Sequence, residues 1–149
     1  MSVKTKQKLT LLLLVLLVFT LAFIWGNSLQ DSEESADISN GVLDMLAPML
    51  EVVGLGADDD RWLRKLAHFA EFGLLGMELS FLAILRNCIN IKGFSFAALF
   101  CLFVAVVDEL IQLFVGRSSQ VSDVMLDFFG SICAILVVYM LYCANKKCS

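Results

Sequence analysis

The sequence predicts an all-α, polytopic membrane protein: a bundle of four transmembrane helices with a short amphipathic helix in its first extracytoplasmic loop. Three observations lead to this fold class. The 149-residue chain is 59% hydrophobic with a single proline, and its mean hydropathy of +0.82 is too high for an ordinary soluble domain. Four apolar runs each approach the length that spans a bilayer. Acidic and basic residues are segregated along the chain, so we interpret residues 1–149 as one membrane domain.

The first apolar run covers residues 9–25 and follows three lysines, Lys4, Lys6 and Lys8. A basic start before an apolar stretch is also typical of a secretory signal, whose apolar part is usually roughly 7 to 15 residues long. This run is longer, and the sequence FIWGNSLQ at its end offers no small-x-small cleavage site. We therefore predict an uncleaved first transmembrane helix. At 17 residues it would need some bilayer thinning or help from its flanks.

Residues 27–64 form one long polar connection that is rich in acids. Apolar residues recur within it at helical spacing, which favours a short amphipathic helix lying on the membrane surface or capping the bundle. These residues are Ile38, Val42, Met45, Leu46, Met49, Leu50 and Val53. Because Pro48 interrupts the pattern, a mobile acidic loop with one apolar face fits it equally well.

Three further membrane segments are predicted at residues 66–85, 94–115 and 121–143. With the N-terminus inside, the cytoplasmic side carries seven basic residues and the outer side carries four, which favours both termini in the cytoplasm. The inner set is Lys4, Lys6, Lys8, Arg86, Lys92, Lys146 and Lys147, and the outer set is Arg61, Arg64, Lys65 and Arg117. We therefore predict a multi-pass protein of the cytoplasmic membrane whose acidic loop lies outside.

Charge is concentrated between the last two membrane segments, in residues 107–130. A charged side chain at membrane depth is costly, so the carboxylates of this stretch need water, partners or an ion. On a helix, Asp108 and Gln112 stand four residues apart and share one face, as do Asp123 and Asp127 on the next helix. This stretch is therefore the predicted functional site.

The connection between these two helices is predicted to be a tight turn. Residues 116–119 are Gly, Arg, Ser and Ser, which include several turn formers. Ser122 is the expected N-cap of the following helix, because a serine side chain can accept a hydrogen bond from a free amide of the first turn.

Lys65, His68 and Glu71 step by three along the start of the second segment, which places them along one side of the helix. A lone intramembrane histidine often only packs, but this ladder makes a polar face that cannot point at lipid. Glu78 lies two turns further on. It fits either a supporting contact for the site or a separate helix-packing contact.

The predicted topology brings these groups to one membrane surface. The second segment enters from the outside, the third ends there, and the fourth enters again from the same side. The candidate site, facing the extracytoplasmic side, then comprises Lys65, His68, Glu71, Asp108, Glu109, Gln112, Arg117, Asp123 and Asp127.

Two stretches, RKLAHFAEFGLLG at 64–76 and VDELIQLFVGRSSQVSDVMLDFFG at 107–130, resemble the VanZ-like family of bacterial membrane proteins. That family shows a Lys-x-x-His-x-x-Glu element followed by Phe or Tyr, an Asp-Glu-x-x-Gln-x-Phe element, a Gly-Arg turn, and an Asp with Asn or Asp four residues later. The matching residues are Lys65, His68, Glu71, Phe72, Asp108, Glu109, Gln112, Phe114, Gly116, Arg117, Asp123, Asp127 and Gly130. The resemblance spans nearly the whole chain and includes the polar end of the first segment around Ser28 and Gln30. It implies a protein of the bacterial cell envelope, related to an accessory protein of glycopeptide (teicoplanin) resistance, and leaves the biochemical activity open.

Three functional hypotheses fit this site. The first is an intramembrane enzyme, a hydrolase or transferase acting on an anionic lipid-linked envelope component. Its candidate catalytic residues are His68, Glu71, Asp108, Glu109, Asp123 and Asp127, and its candidate substrate-binding residues are Lys65, Gln112 and Arg117. A divalent metal would offset the repulsion among the acids, with His68, Asp108, Glu109 and Asp123 as candidate ligands. Without a metal, a histidine–carboxylate pair would act as general acid and base.

The second hypothesis is a non-catalytic protein that binds a lipid-linked peptidoglycan precursor or shields it from an antibiotic. The third is structural, with the charges forming an ion-pair network that locks the helices together. In each case the lipid bilayer is a partner. A nucleic-acid partner is not expected, because the chain has no basic patch interleaved with aromatic residues. The oligomeric state stays open.

Overall fold

The computed structural model describes residues 2–30, 60–88, 90–117 and 120–147, with the side chains of 60–63 and 146–147 left aside. These residues form four α-helices and no strand. The helices are α1 Val3–Ser28, α2 Asp60–Leu85, α3 Ile91–Phe114 and α4 Val121–Lys147. Each is long and apolar enough to cross a membrane, so the all-α, four-helix membrane fold is confirmed. The predicted amphipathic helix in the first loop lies outside the described residues.

Helix α1 is longer than the predicted segment of residues 9–25. The Ser2 hydroxyl caps it by accepting a hydrogen bond from the Thr5 amide at 3.2 Å, so the lysines that precede the apolar run are already helical. Its 26 residues reach roughly 39 Å at 1.5 Å per residue. The helix is therefore long enough to span a hydrocarbon core of about 30 Å, with its polar flanks extending the 17 apolar residues.

The other helices also extend beyond their predicted bounds. Helix α2 begins inside the predicted polar loop, and α3 begins at Ile91 because the Asn90 side chain accepts a hydrogen bond from the Gly93 amide at 2.9 Å. The N-cap prediction for Ser122 was wrong, because α4 starts one residue earlier at Val121. The Gln120 carbonyl accepts the Asp123 amide at 2.9 Å, so the helical turn has begun before Ser122.

Helices α2 and α4 pack most closely, because glycines let their backbones touch. A Cβ at Gly76 would lie only 2.5 Å from the carbonyl oxygen of Ser131 on α4. A Cβ at Gly130 would overlap the carbonyl oxygen of Phe69 on α2. Small residues allow this approach in membrane bundles, where dispersion contacts and hydrogen bonds drive helix association. The contact brings the first turns of α2 beside the first turns of α4.

Helix α1 runs antiparallel to α2 and is joined to it by two polar contacts seven residues apart. Asn27 Nδ2 donates to Glu71 Oε1 at 3.0 Å, and Thr20 Oγ1 donates to Glu78 Oε1 at 2.8 Å. Seven residues are close to two helical turns, so both rungs lie on the same face of each helix. Glu78 therefore makes a separate helix-packing contact, the second of the two alternatives that its position allowed.

Lys6 and Arg86 lie at one end of the bundle, and acidic and basic side chains meet at the other, which we call the polar end. At this end α1 and α3 finish while α2 and α4 begin, and the residues of the predicted site lie here. Elsewhere large apolar side chains are exposed on the outer surface, as expected for a lipid-facing bundle; examples are Phe19, Phe23, Phe96, Phe103 and Phe129. The structure describes a multi-pass membrane protein, and the side of the membrane that holds the polar end stays a prediction.

Candidate functional site

A polar cavity of about 400 Å³ opens at this end of the bundle. Helix α2 contributes two bases and a histidine, α3 contributes an acid and an amide, and the α3–α4 turn and α4 complete the wall. The lining residues are Arg64, Lys65, His68, Glu109, Gln112, Arg117, Gln120, Asp123, Leu126 and Asp127. Seven of these ten residues belong to the predicted site, and the cavity gathers residues that are more than sixty positions apart in sequence.

Asp108 is the most deeply enclosed acid of the site, with 0% of its surface exposed. Ser28 Oγ at the end of α1 donates to Asp108 Oδ1 at 2.6 Å, and Gln112 Nε2 donates to Asp108 Oδ2 at 2.9 Å. The second bond confirms the i, i+4 pairing expected from the sequence. Hydrogen bonds to both oxygens fix the orientation of the carboxylate and compensate part of its burial cost.

His68 lies between Asp108 and Asp127. Its Nδ1 is 3.7 Å from Asp108 Oδ2 and 4.0 Å from Asp127 Oδ1. Both distances are too long for a hydrogen bond, and Nδ1 is buried without a hydrogen-bond partner. Asp127 is only 1% exposed, and neither of its carboxylate oxygens has a hydrogen-bond partner. The imidazole of His68 and the carboxylates of Asp108 and Asp127 thus face one another without hydrogen bonds between the imidazole and either carboxylate.

The acids at the rim of the cavity, unlike Asp127, have interaction partners. Lys65 Nζ lies 3.0 Å from Asp123 Oδ1, an ion pair that joins α2 to α4. The Lys65 side chain is 52% exposed, so this contact adds little stability. On the opposite wall the backbone amide of Gln120 donates to Glu109 Oε2 at 3.3 Å. Both rim acids are therefore engaged by neighbouring groups.

Arg117 extends from the α3–α4 turn and reaches α1, where its Nη1 donates to the Asn27 carbonyl at 3.4 Å. The turn reverses direction at Gly116, which has a φ of +80° that favours glycine. Burial lowers the pKa of the Arg117 guanidinium from its ordinary value, and the positive charge of Arg64 lowers it further. Asp108 and Glu109 raise it. Arg117 therefore lies near a second guanidinium and near two carboxylates at the cavity wall.

Residues 10–142 match the model of the VanZ/LLP1 family. The chain belongs to this family. The matched span includes every residue that lines the cavity. No curated protein and no solved structure matches the chain.

In this VanZ/LLP1 chain, Glu71 lies apart from the cavity. It bonds to Asn27 and lines an apolar groove between α1 and α2 beside Phe23 and Leu74. Residues three apart on an α-helix are rotated by roughly −60°, so the ladder of Lys65, His68 and Glu71 turns around α2. Its members therefore face α4, the interior and α1 in succession.

The candidate metal ligands predicted from the sequence also fall into two groups in the structure. Among the described residues, His68, Asp108 and Asp127 each direct one ligand atom to a common region, and the three atoms lie within 4.8 Å of one another. Asp123 is instead held by Lys65 at the rim, and Glu109 accepts the Gln120 amide. The gathered set therefore includes Asp127 in place of Glu109 and Asp123 among the four candidate ligands.

Some residues of the site were missed by sequence reasoning. Ser28 belongs to the family resemblance without an assigned role, and the sequence analysis assigns no role in the site to Asn27 or Gln120. The available signal was the pair of hydroxyl residues Thr20 and Ser28, which lie eight positions apart on one face of α1 and, with Ile24 between them, are the buried residues of that helix. A polar stripe on an otherwise apolar segment indicates the face that packs inward.

Proposed function

We propose that this VanZ/LLP1 protein binds the anionic head group of a lipid-linked component of the bacterial cell envelope. One observation carries the proposal: three basic side chains, Arg64, Lys65 and Arg117, line one cavity at the end of a membrane bundle. Arginine matches phosphate and carboxylate groups through paired hydrogen bonds.

The surroundings of the cavity favour a lipid over a soluble anion. The helices that form its walls are long and apolar enough to cross a membrane, and their outer surfaces expose large apolar side chains. A head group in the cavity would leave its acyl or prenyl chain against these surfaces. The ligand class that fits both features is an anionic lipid, such as a lipid-linked peptidoglycan precursor.

A second candidate function is catalysis on the same lipid, as a hydrolase or transferase. The observation that favours it is the placement of His68 against Asp108 and Asp127 at the cavity wall. A histidine beside carboxylates can take a proton from water or from an acceptor hydroxyl and return it to a leaving group. In this reading the basic residues hold the head group while His68 moves the proton.

Glycopeptide resistance would follow from the first function. A protein that holds a lipid-linked peptidoglycan precursor would keep it from an antibiotic such as teicoplanin. Expression of the wild-type protein in a sensitive host should then raise the inhibitory concentration of teicoplanin. The Arg117→Gln variant, expressed at the same level, should not.

Binding is tested directly with purified protein in mild detergent, in the presence of a metal chelator. A fluorescent polyprenyl diphosphate serves as probe, and zwitterionic phosphatidylcholine is the competitor that should fail. Arg117→Gln should weaken binding by roughly tenfold or more, because it removes a charge-assisted contact. Arg86→Gln is the matched control, since Arg86 is exposed at the opposite end of the bundle.

The proposal fails if Arg117→Gln binds the probe as tightly as the wild type and the Arg86→Gln control do. It also fails if phosphatidylcholine competes as well as an anionic lipid. Release of phosphate or diphosphate from the probe by the wild type, abolished in His68→Ala, would add the catalytic function.

A further inference from the structure

We propose that His68, Asp108 and Asp127 bind a divalent transition-metal ion at the inner wall of the cavity. Each ligand comes from a different helix: α2 supplies the imidazole of His68, α3 the carboxylate of Asp108 and α4 that of Asp127. The three candidate ligand atoms lie within 4.8 Å of one another. This site goes beyond head-group binding, which the basic residues of the rim provide without it.

The strongest support comes from Asp127. It is 1% exposed, both of its carboxylate oxygens lack a hydrogen-bond partner, and one of them lies 4.0 Å from His68 Nδ1. A buried carboxylate without partners is costly, and in native proteins such a group calls for an explanation. A cation between Asp127 and its neighbours would supply the missing interaction for the oxygen that lies nearest His68.

The distances suit an ion better than direct hydrogen bonds. Nδ1 of His68 is 3.7 and 4.0 Å from the nearest oxygens of Asp108 and Asp127, which is beyond hydrogen-bonding range. A transition ion with bonds of roughly 2.0 to 2.2 Å places neighbouring ligand atoms about 3 to 3.5 Å apart. Small side-chain rotations would bring the three groups to that spacing.

Asp108 is already oriented in the manner of a metal ligand. Ser28 and Gln112 each donate to one of its oxygens, at 2.6 and 2.9 Å. Hydrogen bonds of this kind hold ligating carboxylates in place, and their loss typically lowers metal affinity by about 10- to 100-fold. The Ser28 hydroxyl at the end of α1 is therefore a positioning group for the site.

The donor set selects the type of ion. One imidazole and two carboxylates suit Mn²⁺, Fe²⁺ or Zn²⁺, whereas Mg²⁺ and Ca²⁺ prefer oxygen ligands alone. Three protein ligands leave coordination positions open, as in catalytic rather than structural sites. His68 and Asp127 line the cavity, so those positions face the space where we place the head group.

The test uses the untagged full chain in mild detergent, stripped with chelator and titrated with Mn²⁺. Electron paramagnetic resonance counts the free ion, and pulsed measurements detect coupling between bound Mn²⁺ and an imidazole nitrogen. The wild type should bind about one Mn²⁺ per chain, displaced by Zn²⁺ and coupled to nitrogen.

Two aspartates on α4 give a matched comparison. Asp127→Asn should weaken Mn²⁺ binding by about 100-fold or more, since it removes a charged ligand. Asp123→Asn is the same chemical change in a residue paired with Lys65, and it should leave binding within about twofold of the wild type. Ser28→Ala should fall between them, with affinity lowered by roughly 10- to 100-fold.

Folding is monitored by thermal melting of each variant without metal. Should Asp127→Asn fail to fold, nitrogen coupling in the wild type and its loss in His68→Ala decide the question. The proposed site is refuted if Asp127→Asn and Asp123→Asn bind Mn²⁺ with equal affinity. It is also refuted if bound Mn²⁺ shows no coupling to nitrogen. Because the titration contains no added lipid and the lipid assay contains a chelator, failure of one proposal is distinguishable from failure of the other.

Discussion

Replacing Gly76 with alanine should destabilise the bundle, because this position lies where α2 touches α4. The added methyl would be 2.5 Å from the carbonyl oxygen of Ser131 and 3.0 Å from its Cα. All of the atoms it meets belong to the backbone, so no side-chain rotation can relieve the contact. Since carbon atoms rest about 3.5 to 4.0 Å apart, the two helices must separate by roughly 1 Å.

The size of the effect follows from comparison with Gly73, one turn earlier on the same helix. A Cβ at Gly73 would meet only the Gly130 carbonyl oxygen, at an ordinary 3.7 Å. Both substitutions gain the same helix propensity, up to about 1 kcal/mol. The difference between them isolates the overpacking cost, which should be about 1–3 kcal/mol against Gly76→Ala.

The assay is reversible unfolding of both variants in mixed detergent micelles, followed by far-ultraviolet circular dichroism. The free energy of unfolding of Gly73→Ala should equal that of the wild type or lie slightly above it. That of Gly76→Ala should lie clearly below it. If the two variants have the same free energy of unfolding, the close backbone contact between α2 and α4 does not hold the bundle together, and the account of helix packing fails.

Three further substitutions test the polar contacts. Ser28→Ala removes the 2.6 Å bond to buried Asp108 and should lower the free energy of unfolding by about 1–2 kcal/mol, measured in the same micelles. Thr20→Val preserves the shape of the side chain but removes its hydrogen bond to Glu78. The free energy of unfolding should fall by about 0.6 to 1.7 kcal/mol, and an unchanged value would mean that the Glu78 carboxyl finds another partner. Lys65→Ala breaks an exposed ion pair and should change stability by less than about 1 kcal/mol; a larger loss would favour the ion-pair-locked bundle.

Much of the site was predictable because helical periodicity is local. Asp108 and Gln112 stand four residues apart and do bond to each other. The topology of four alternating segments also placed the ends of α1 and α3 beside the starts of α2 and α4. These inferences need only the pitch of a helix and the thickness of a bilayer.

Other features could not be read from spacing. The ladder on α2 appeared to be one polar face, yet Lys65 contacts Asp123, His68 faces the interior and Glu71 bonds to α1. Which partner each residue finds depends on the rotation of α2 about its axis. That rotation is set by the glycine contact with α4, which involves residues far apart in the sequence.

The sequence by itself determined a four-helix membrane protein whose candidate site residues lie at one end, because length, hydropathy and periodicity act within single segments. Only the tertiary structure decided which acids meet. It placed Asp127, rather than Asp123, beside His68 and Asp108, since Asp123 lies one turn closer to the rim, where Lys65 reaches it. Two aspartates four residues apart look equivalent along the chain, but burial separates them: Asp123 is paired near solvent, and Asp127 is enclosed at the inner wall of the cavity.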